Sequence, residues 1–338
     1  LFMSNHFQDP IISVIIPCRN EEYFIEKCIL SILNQKEIKG LEILVVDGMS
    51  VDNTRSVLTS LSVRYENVKI FNNPNKTTPQ ALNIGIKNSK GKFICIMGAH
   101  SEYDEYFLTN GLKLLNNNPA VSCVGGPILS IGQSNFGKAV ALAMSSSIGV
   151  GNAKHRFPNY EGYAEMACFP IFRKEVFSQI GLYDESFIRN QDDEFCLRLN
   201  KNGGKVFISP KVRSYYYVRE NIKSLFTQYY NYGFWRIAVI RKHKMTISFR
   251  QLIPFLFFFT SFNLFIFFLI TENIMLGVAL PLLYLVLIFF YSINVFCKYN
   301  LITALIFPSV VFTLHFSYAI GFLVGIFKFG FRNPSLNH

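Results

Sequence analysis

The chain has 338 residues, half of them hydrophobic, with 35 Phe and a formal net charge of +11. That length allows one sizeable domain and a second part. The basic charge raises nucleic acid as a partner, but no nucleic-acid-binding motif accompanies it and none is expected to bind. The seven Cys are odd in number, scattered and without a CxxC pair; they argue against a disulfide framework or a cysteine metal site and read as reduced core residues facing a cytosolic compartment.

No cleavable leader is expected at the start. Residues 11–16 are a run of β-branched aliphatic side chains interrupted only by Ser13 and ended by Pro17, and read as a buried parallel strand. After a turn through Arg19 and Glu22, Ile25, Cys28, Ile29, Ile32 and Leu33 recur at helical spacing. Residues 41–46 form a second predicted strand that stops at Asp47, and a helix follows from Thr54 with Asp52 as a suitable cap. A third strand at 68–71 leads to a helix over about 78–88, and a fourth at 93–97 ends in Gly98-Ala99-His100. Four strand–helix alternations predict an α/β, doubly wound, mostly parallel sheet. Ligands of such sheets bind beyond the carboxyl ends of the strands. Pro17 to Glu21, Asp47 to Asp52, and Gly98 to His100 should therefore share one rim. Neither GxGxxG nor GxxxxGK[ST] occurs. Strand-end acids would then meet a base, a ribose or a divalent cation, not a diphosphate directly.

The stretch Asn190-Gln191-Asp192-Asp193-Glu194 opens another predicted helix, with Phe195, Leu197 and Leu199 behind it and Asn190 as N-cap. Acids suit a helix start because the dipole and free amides favour negative charge. Crowded carboxylates can also raise one another's pKa, and one so tuned takes a proton from a hydroxyl. Both readings are open here. Between Arg198 and Arg250 the only acid is Glu220 among many basic residues. Beyond it lie three nearly uncharged runs, 252–270, 274–296 and 301–327, each long enough to cross a bilayer. The expected division is a catalytic domain at 1–235, a basic juxtamembrane segment at 236–251, about three transmembrane helices at 252–327 and a tail at 328–338. The basic flank predicts a cytoplasmic catalytic domain. Lys298 agrees; Lys328 and Arg332 fall on the wrong side, so one run could re-enter, broken at Pro254 or Pro308.

Ile15-Ile16-Pro17-Cys18-Arg19-Asn20-Glu21 and Val45-Val46-Asp47-Gly48-Met49-Ser50-Val51-Asp52-Asn53-Thr54 resemble the opening of family 2 glycosyltransferases, which have the GT-A fold. With Asn83-Ile84-Gly85-Ile86, Gly125-Gly126-Pro127 and Arg189 to Glu194, the ordered set is similar to the succinoglycan-type (ExoA-like) exopolysaccharide branch, over nearly the whole chain. The resemblance implies that Pro17, Asn20, Glu21, Asp47 and Asp52 bind the nucleoside of a UDP-sugar and that Lys76 meets its diphosphate. It implies that Asp192 is the catalytic base, with Asp193 and Glu194 in structural or acceptor contacts. Its Asp-x-Asp metal motif reads Gly98-Ala99-His100 here. His100 remains as a ligand for Mn2+, less well for Mg2+, with Glu102 and Asp104 near enough in sequence to compensate; metal-independent transfer stays open. Residues 149–154 suit a loop closing over donor or acceptor. Gln228, Trp235 and Arg236 occupy the acceptor-side Gln/Arg-Trp region without reproducing it. The expected protein is thus a multi-pass enzyme of the bacterial inner membrane. It would transfer sugar by inversion to a polyprenyl-diphosphate-linked acceptor in exopolysaccharide synthesis, in contact with membrane lipid. A processive synthase is the alternative enzyme, disfavoured by three short spans. A degenerate nucleotide-sugar-binding membrane protein is the non-enzyme alternative, kept open by Gly98.

Overall fold

A computed structural model describes residues 11–245 and 248–330. The start, where no leader is expected, and Arg332, with most of the expected tail, lie outside the described residues. The chain divides into two compact units: the described residues up to 129 with 157–216, and 130–156 with the rest.

The first unit begins as an alternation of strands and helices: β1 (Ile12–Cys18), α1 (Ile25–Leu33), β2 (Leu41–Asp47), α2 (Thr54–Arg64), β3 (Val68–Asn72), α3 (Thr78–Asn88) and β4 (Phe93–Ile96). There follow β5 (Ser101–Tyr103), α4 (Phe107–Asn117), β6 (Cys123–Gly126) and β7 (Ile128–Ile131). The large sheet also takes in β8 (Gly162–Ala164), β9 (Cys168–Arg173) and β10 (Val206–Ile208), in the order β3-β2-β1-β4-β9-β6-β10-β8. The first four strands pair in parallel. β9 enters antiparallel to both β4 and β6, and β8 antiparallel to β10. The sheet is therefore parallel in one half and mixed in the other.

Pro17 does not end β1, which continues to Cys18 beside Asp47 of β2. The Ile15 carbonyl still accepts from Met97, whereas the Cys18 carbonyl turns to Gly48 on the β2 side. Pro17 thus directs its missing N–H toward β4 just past that strand's end, where no ladder bond is lost. Side chains alternate across the sheet. Ile12, Val14 and Ile16 pack with α1, α2 and α4 on one face. Ile15, Leu44 and Val46 pack on the other face with α3, α7 (Glu175–Ile180) and α8 (Gln191–Lys201). β11 (Ser214–Tyr217) runs antiparallel to β5.

The second unit holds α5 (Asn135–Met144), α6 (Ser147–Val150), α9 (Ile222–His243), α10 (Ile253–Ile270), α11 (Ile274–Lys298) and α12 (Leu301–Gly330). The last three are long and apolar enough to cross a membrane, at 18, 25 and 30 residues. Pro254 sits in the first turn of α10, where a missing N–H is harmless. Pro308 lies inside α12 and Pro281 inside α11, and neither ends its helix. α9 and α12 meet through glycine: a Cβ on Gly321 would lie 2.0 Å from the Tyr230 carbonyl oxygen, and one on Gly233 would lie 2.1 Å from that of Tyr318. Such contacts let two backbones approach closely. α5 buries Ala139, Val140 and Ala143 and packs on α12. The Glu220 carboxylate accepts the Gln133 N–H in front of it. The loop at 149–154 belongs to this unit. All seven cysteines are free, and Cys297 is exposed on α11 instead of lying in a core.

Candidate active site

The loops after β1 and β2 are laced together at the carboxyl end of the sheet. Asn20 takes a left-handed conformation, φ 55°, which asparagine tolerates. Its N–H donates to the Ser50 hydroxyl, and its Oδ1 accepts the Val51 N–H. The Glu21 N–H donates to the Thr54 hydroxyl. The Glu22 N–H donates to Asp52, which also accepts the Thr54 N–H. Burial opposes the charge of Asp52, yet bonds from Thr54 and Glu22 outweigh it and hold the carboxyl below its ordinary range. The cap position of α2 is Asn53, whose side chain makes no capping bond; Asp52, one residue earlier, accepts the N–H of the first helical residue and belongs to the rim.

Asp47 closes β2 with only 2 % of its surface exposed. Its Oδ1 accepts the Ser50 hydroxyl at 2.6 Å and the Ser50 N–H at 3.2 Å. Its Oδ2 faces Arg55 Nη1 at 3.5 Å. Beneath it, burial and then the charges of Asp47 and Glu21 push the Cys18 thiol far up, so that thiol is inert. From the loop after β4, His100 brings its Nδ1 to 3.1 Å from Glu21 Oε1. Lys76 is exposed on the loop after β3, in a left-handed turn closed by its N–H to the Asn73 carbonyl. The Asn73 N–H in turn donates to the Asp47 carbonyl. Pro17, Asn20, Glu21, Asp47, Asp52 and His100 therefore share a rim, with Lys76 on the adjoining loop.

α8 reaches the same end of the sheet by register. β9 runs against β4, so its start at Cys168 lies at the carboxyl end of β4. Ala167, just before it, is buried in the same cluster as Phe195 and Leu199 of α8. Asp192 lies one turn earlier on α8. It is exposed, and its Oδ1 accepts the Asp193 N–H. Burial, then the charges of Asp192 and Asp193, raise the Cys196 thiol far above its ordinary range. Asn190 stands at the cap position in a left-handed conformation, but its side chain makes no capping bond; its carbonyl accepts the Glu194 N–H instead. Glu194 is fully buried and paired with Arg198, whose guanidinium also donates to the carbonyls of Ile180 and Leu182. Asp193 is 7 % exposed. Gln228, Trp235 and Arg236 lie on α9 in the second unit. There Gln228 donates to the Tyr232 hydroxyl, Trp235 packs on Phe329 and Arg236 is buried.

Sequence reasoning named neither Ser50 nor Arg55 as site residues. Ser50 sits inside the Asp-Gly-Met-Ser motif, and Arg55 is the first basic residue after it. A cation in a helix's first turn beside a strand-end acid was the available signal.

The residues present do not make a cage for a resident divalent ion. Among the described residues no three His, Cys, Asp or Glu side chains come together, so Glu102 and Asp104 do not complete a set around His100. Both oxygens of Asp47 already face Ser50 and Arg55. A Cβ at Gly98 would lie 3.0 Å from the Phe169 ring, so an acid there would have to displace it. No step below is routed through a metal.

A mixed sheet with these loops gathered at its carboxyl end, followed by three apolar helices, defines a GT-A-type transferase. Residues 13–181, half of the chain, match the model of the family described as "Glycosyl transferase family 2". The chain is 30 % identical over 325 residues to the dolichyl N-acetyl-alpha-D-glucosaminyl phosphate 3-beta-D-2,3-diacetamido-2,3-dideoxy-beta-D-glucuronosyltransferase of Methanococcus voltae, covering 94 % of this chain and 97 % of that protein. It is 30 % identical to the succinoglycan biosynthesis protein ExoA of Rhizobium meliloti, covering 71 % and 73 %. In fold it resembles the mannosyltransferase PcManGT from Pyrobaculum calidifontis, solved with GDP-Man and Mn2+, with a TM-score of 0.60 at 14 % identity over 94 % of this chain and 88 % of that one. The chain belongs to glycosyl transferase family 2 and is a glycosyltransferase.

Proposed function

We propose that this enzyme is anchored in the bacterial inner membrane. It moves a sugar, with inversion, from a nucleotide donor to a lipid-linked saccharide during surface-polysaccharide assembly. The observation that supports this most is the common end of the sheet. The loops after β1, β2 and β4 lie there, and α8 starts toward that end, since it leads into β10 at the opposite end of the sheet. The M. voltae relative is named for a dolichyl-phosphate-linked acceptor and the R. meliloti relative for succinoglycan biosynthesis. Those names support the acceptor class and the pathway class. The apolar helices support the anchor; the basic residues before them support a cytoplasmic catalytic unit.

Pro17, Asn20, Glu21, Asp47 and Asp52 hold the nucleoside, with UDP as the proposed carrier, and Lys76 meets the leaving diphosphate. Asp192 is exposed, as a residue meeting two substrates must be. Its carboxylate takes the proton of an acceptor hydroxyl. The acceptor oxygen then bonds to the anomeric carbon as the bond to the diphosphate breaks. The nucleoside diphosphate leaves with that electron pair. Gln228, Trp235 and Arg236 serve the acceptor side. A divalent ion is proposed only as a companion of the donor, for which His100 would be the protein ligand and which would offset charge on the diphosphate.

The test is transfer by the full chain from a panel of nucleotide sugars to a polyprenyl-diphosphate-linked saccharide. Equal rates for wild type and Asp192→Asn would remove Asp192 as base. Nucleotide binding without turnover from any donor would overturn the transfer proposed here.

A further inference from the structure

Asp47 sits among polar atoms that the protein leaves unfilled. Its Oδ1 is saturated by Ser50. Among the described residues its Oδ2 has only Arg55 Nη1, at 3.5 Å, too long for a hydrogen bond. Arg55 Nη1 is buried and has no hydrogen-bond partner among the described residues. Asn73, whose N–H bonds the Asp47 carbonyl, is 1 % exposed. Its Nδ2 donates to the Thr77 carbonyl, while its buried Oδ1 has no hydrogen-bond partner among the described residues. Buried polar atoms are nearly always satisfied, so the orphaned Arg55 Nη1 beside a carboxylate oxygen that lacks a hydrogen bond marks a place where a ligand completes the bonding.

The two members of the Asp47–Arg55 pair differ in freedom. Asp47 is fixed by Ser50 at the strand end. The Arg55 side chain is 43 % exposed and lies over the carboxylate. A base brought to Oδ2 would meet this guanidinium at its edge. Oδ2 can only accept, and the guanidinium can only donate.

We propose that Arg55 is a donor-specificity residue that reads the exocyclic oxygen of the base while Asp47 accepts the neighbouring ring N–H. This rests on the donor site proposed above. The chemistry it selects is a nucleoside diphosphate whose base carries a ring N–H beside a carbonyl, as uracil and guanine do. Cytosine and adenine carry an amino group where Arg55 needs an acceptor and a lone pair where Asp47 needs a proton.

The experiment is calorimetric titration of the full chain in detergent with UDP, GDP, CDP and ADP. Wild type is expected to bind UDP or GDP at least about tenfold tighter than CDP and ADP. Arg55→Ala should shrink that ratio below about threefold by weakening the preferred nucleotide. Arg55→Lys keeps a cation beside Asp47 but not the planar fork, and should fold as wild type does while losing most of the ratio. If Arg55→Ala fails to fold, Arg55→Lys decides. Variants that keep the full preference overturn the assignment, and so does a wild type that binds all four alike, which leaves the donor site standing. A wild type that binds none of them removes the donor site itself.

Discussion

Asp192, Asp193 and Glu194 are neighbours in sequence with separate surroundings, because the helix turns each to a different environment. Glu194 is sealed in the core against Arg198, and Asp192 faces out. Glu194→Gln should therefore act on stability. Breaking a buried ion pair from one side costs about 3–5 kcal/mol, and thermal denaturation would show it. Asp192→Asn should leave the melting curve in place and cut transfer by at least about 10²-fold. A melting curve that collapses for Asp192→Asn, or an unchanged one for Glu194→Gln, would reverse this division. The motif was legible in the sequence, but the division was not. It depends on which side of α8 meets Tyr183 and Phe172, whose rings pack on Phe195 from distant parts of the chain. Mn2+ alone should not shift the melting temperature, since no three ligands converge among the described residues; a shift with Mn2+ and no nucleotide would show a resident site.

At the scale of elements, the first four strands were readable because each is a short apolar run bounded by turn residues. β9 was not, since Pro170 interrupts its run and its partners come from far along the chain. The strand ends opposite the rim carry their own device. Glu42 of β2 is buried and accepts from Ser13 of β1, from Lys69 of β3 and from the Lys90 N–H. Burial opposes its charge, but these bonds prevail and lower its pKa. A lowered folded-state pKa gives stability that is present above the ordinary glutamate range and lost as pH falls through the depressed value. Denaturation followed from pH 6 toward pH 3 (roughly spanning the range of carboxylate titration) should show that loss in wild type and less of it in Glu42→Gln. Equal slopes would exclude Glu42. In the second unit, Gly321→Ala sets a methyl group against the Tyr230 carbonyl. Overpacking of this kind costs about 1–3 kcal/mol. The variant should melt earlier in detergent, whereas Gly330→Ala, with only an ordinary contact at 3.6 Å, should not.

For the molecule as a whole, the hydropathy of the last third announced three helices, and three are there. The chain should stay with the membrane pellet through an alkaline carbonate wash, and release into the supernatant would argue against spanning helices. Less legible was the membership of residues 130–156. Their glycine-rich ending reads locally as a surface loop, but α5 and α6 pack with the C-terminal helices. The polypeptide consequently passes from one unit to the other three times, near residues 129, 156 and 216. A knife applied at any single peptide bond cannot free the first unit intact. A fragment stopped at residue 216 would carry α5 away without α12, baring Ala139, Val140 and Ala143 to water. Efforts to obtain a water-soluble enzyme should excise 130–156 along with the tail helices, and join the two cut ends by a short hydrophilic bridge.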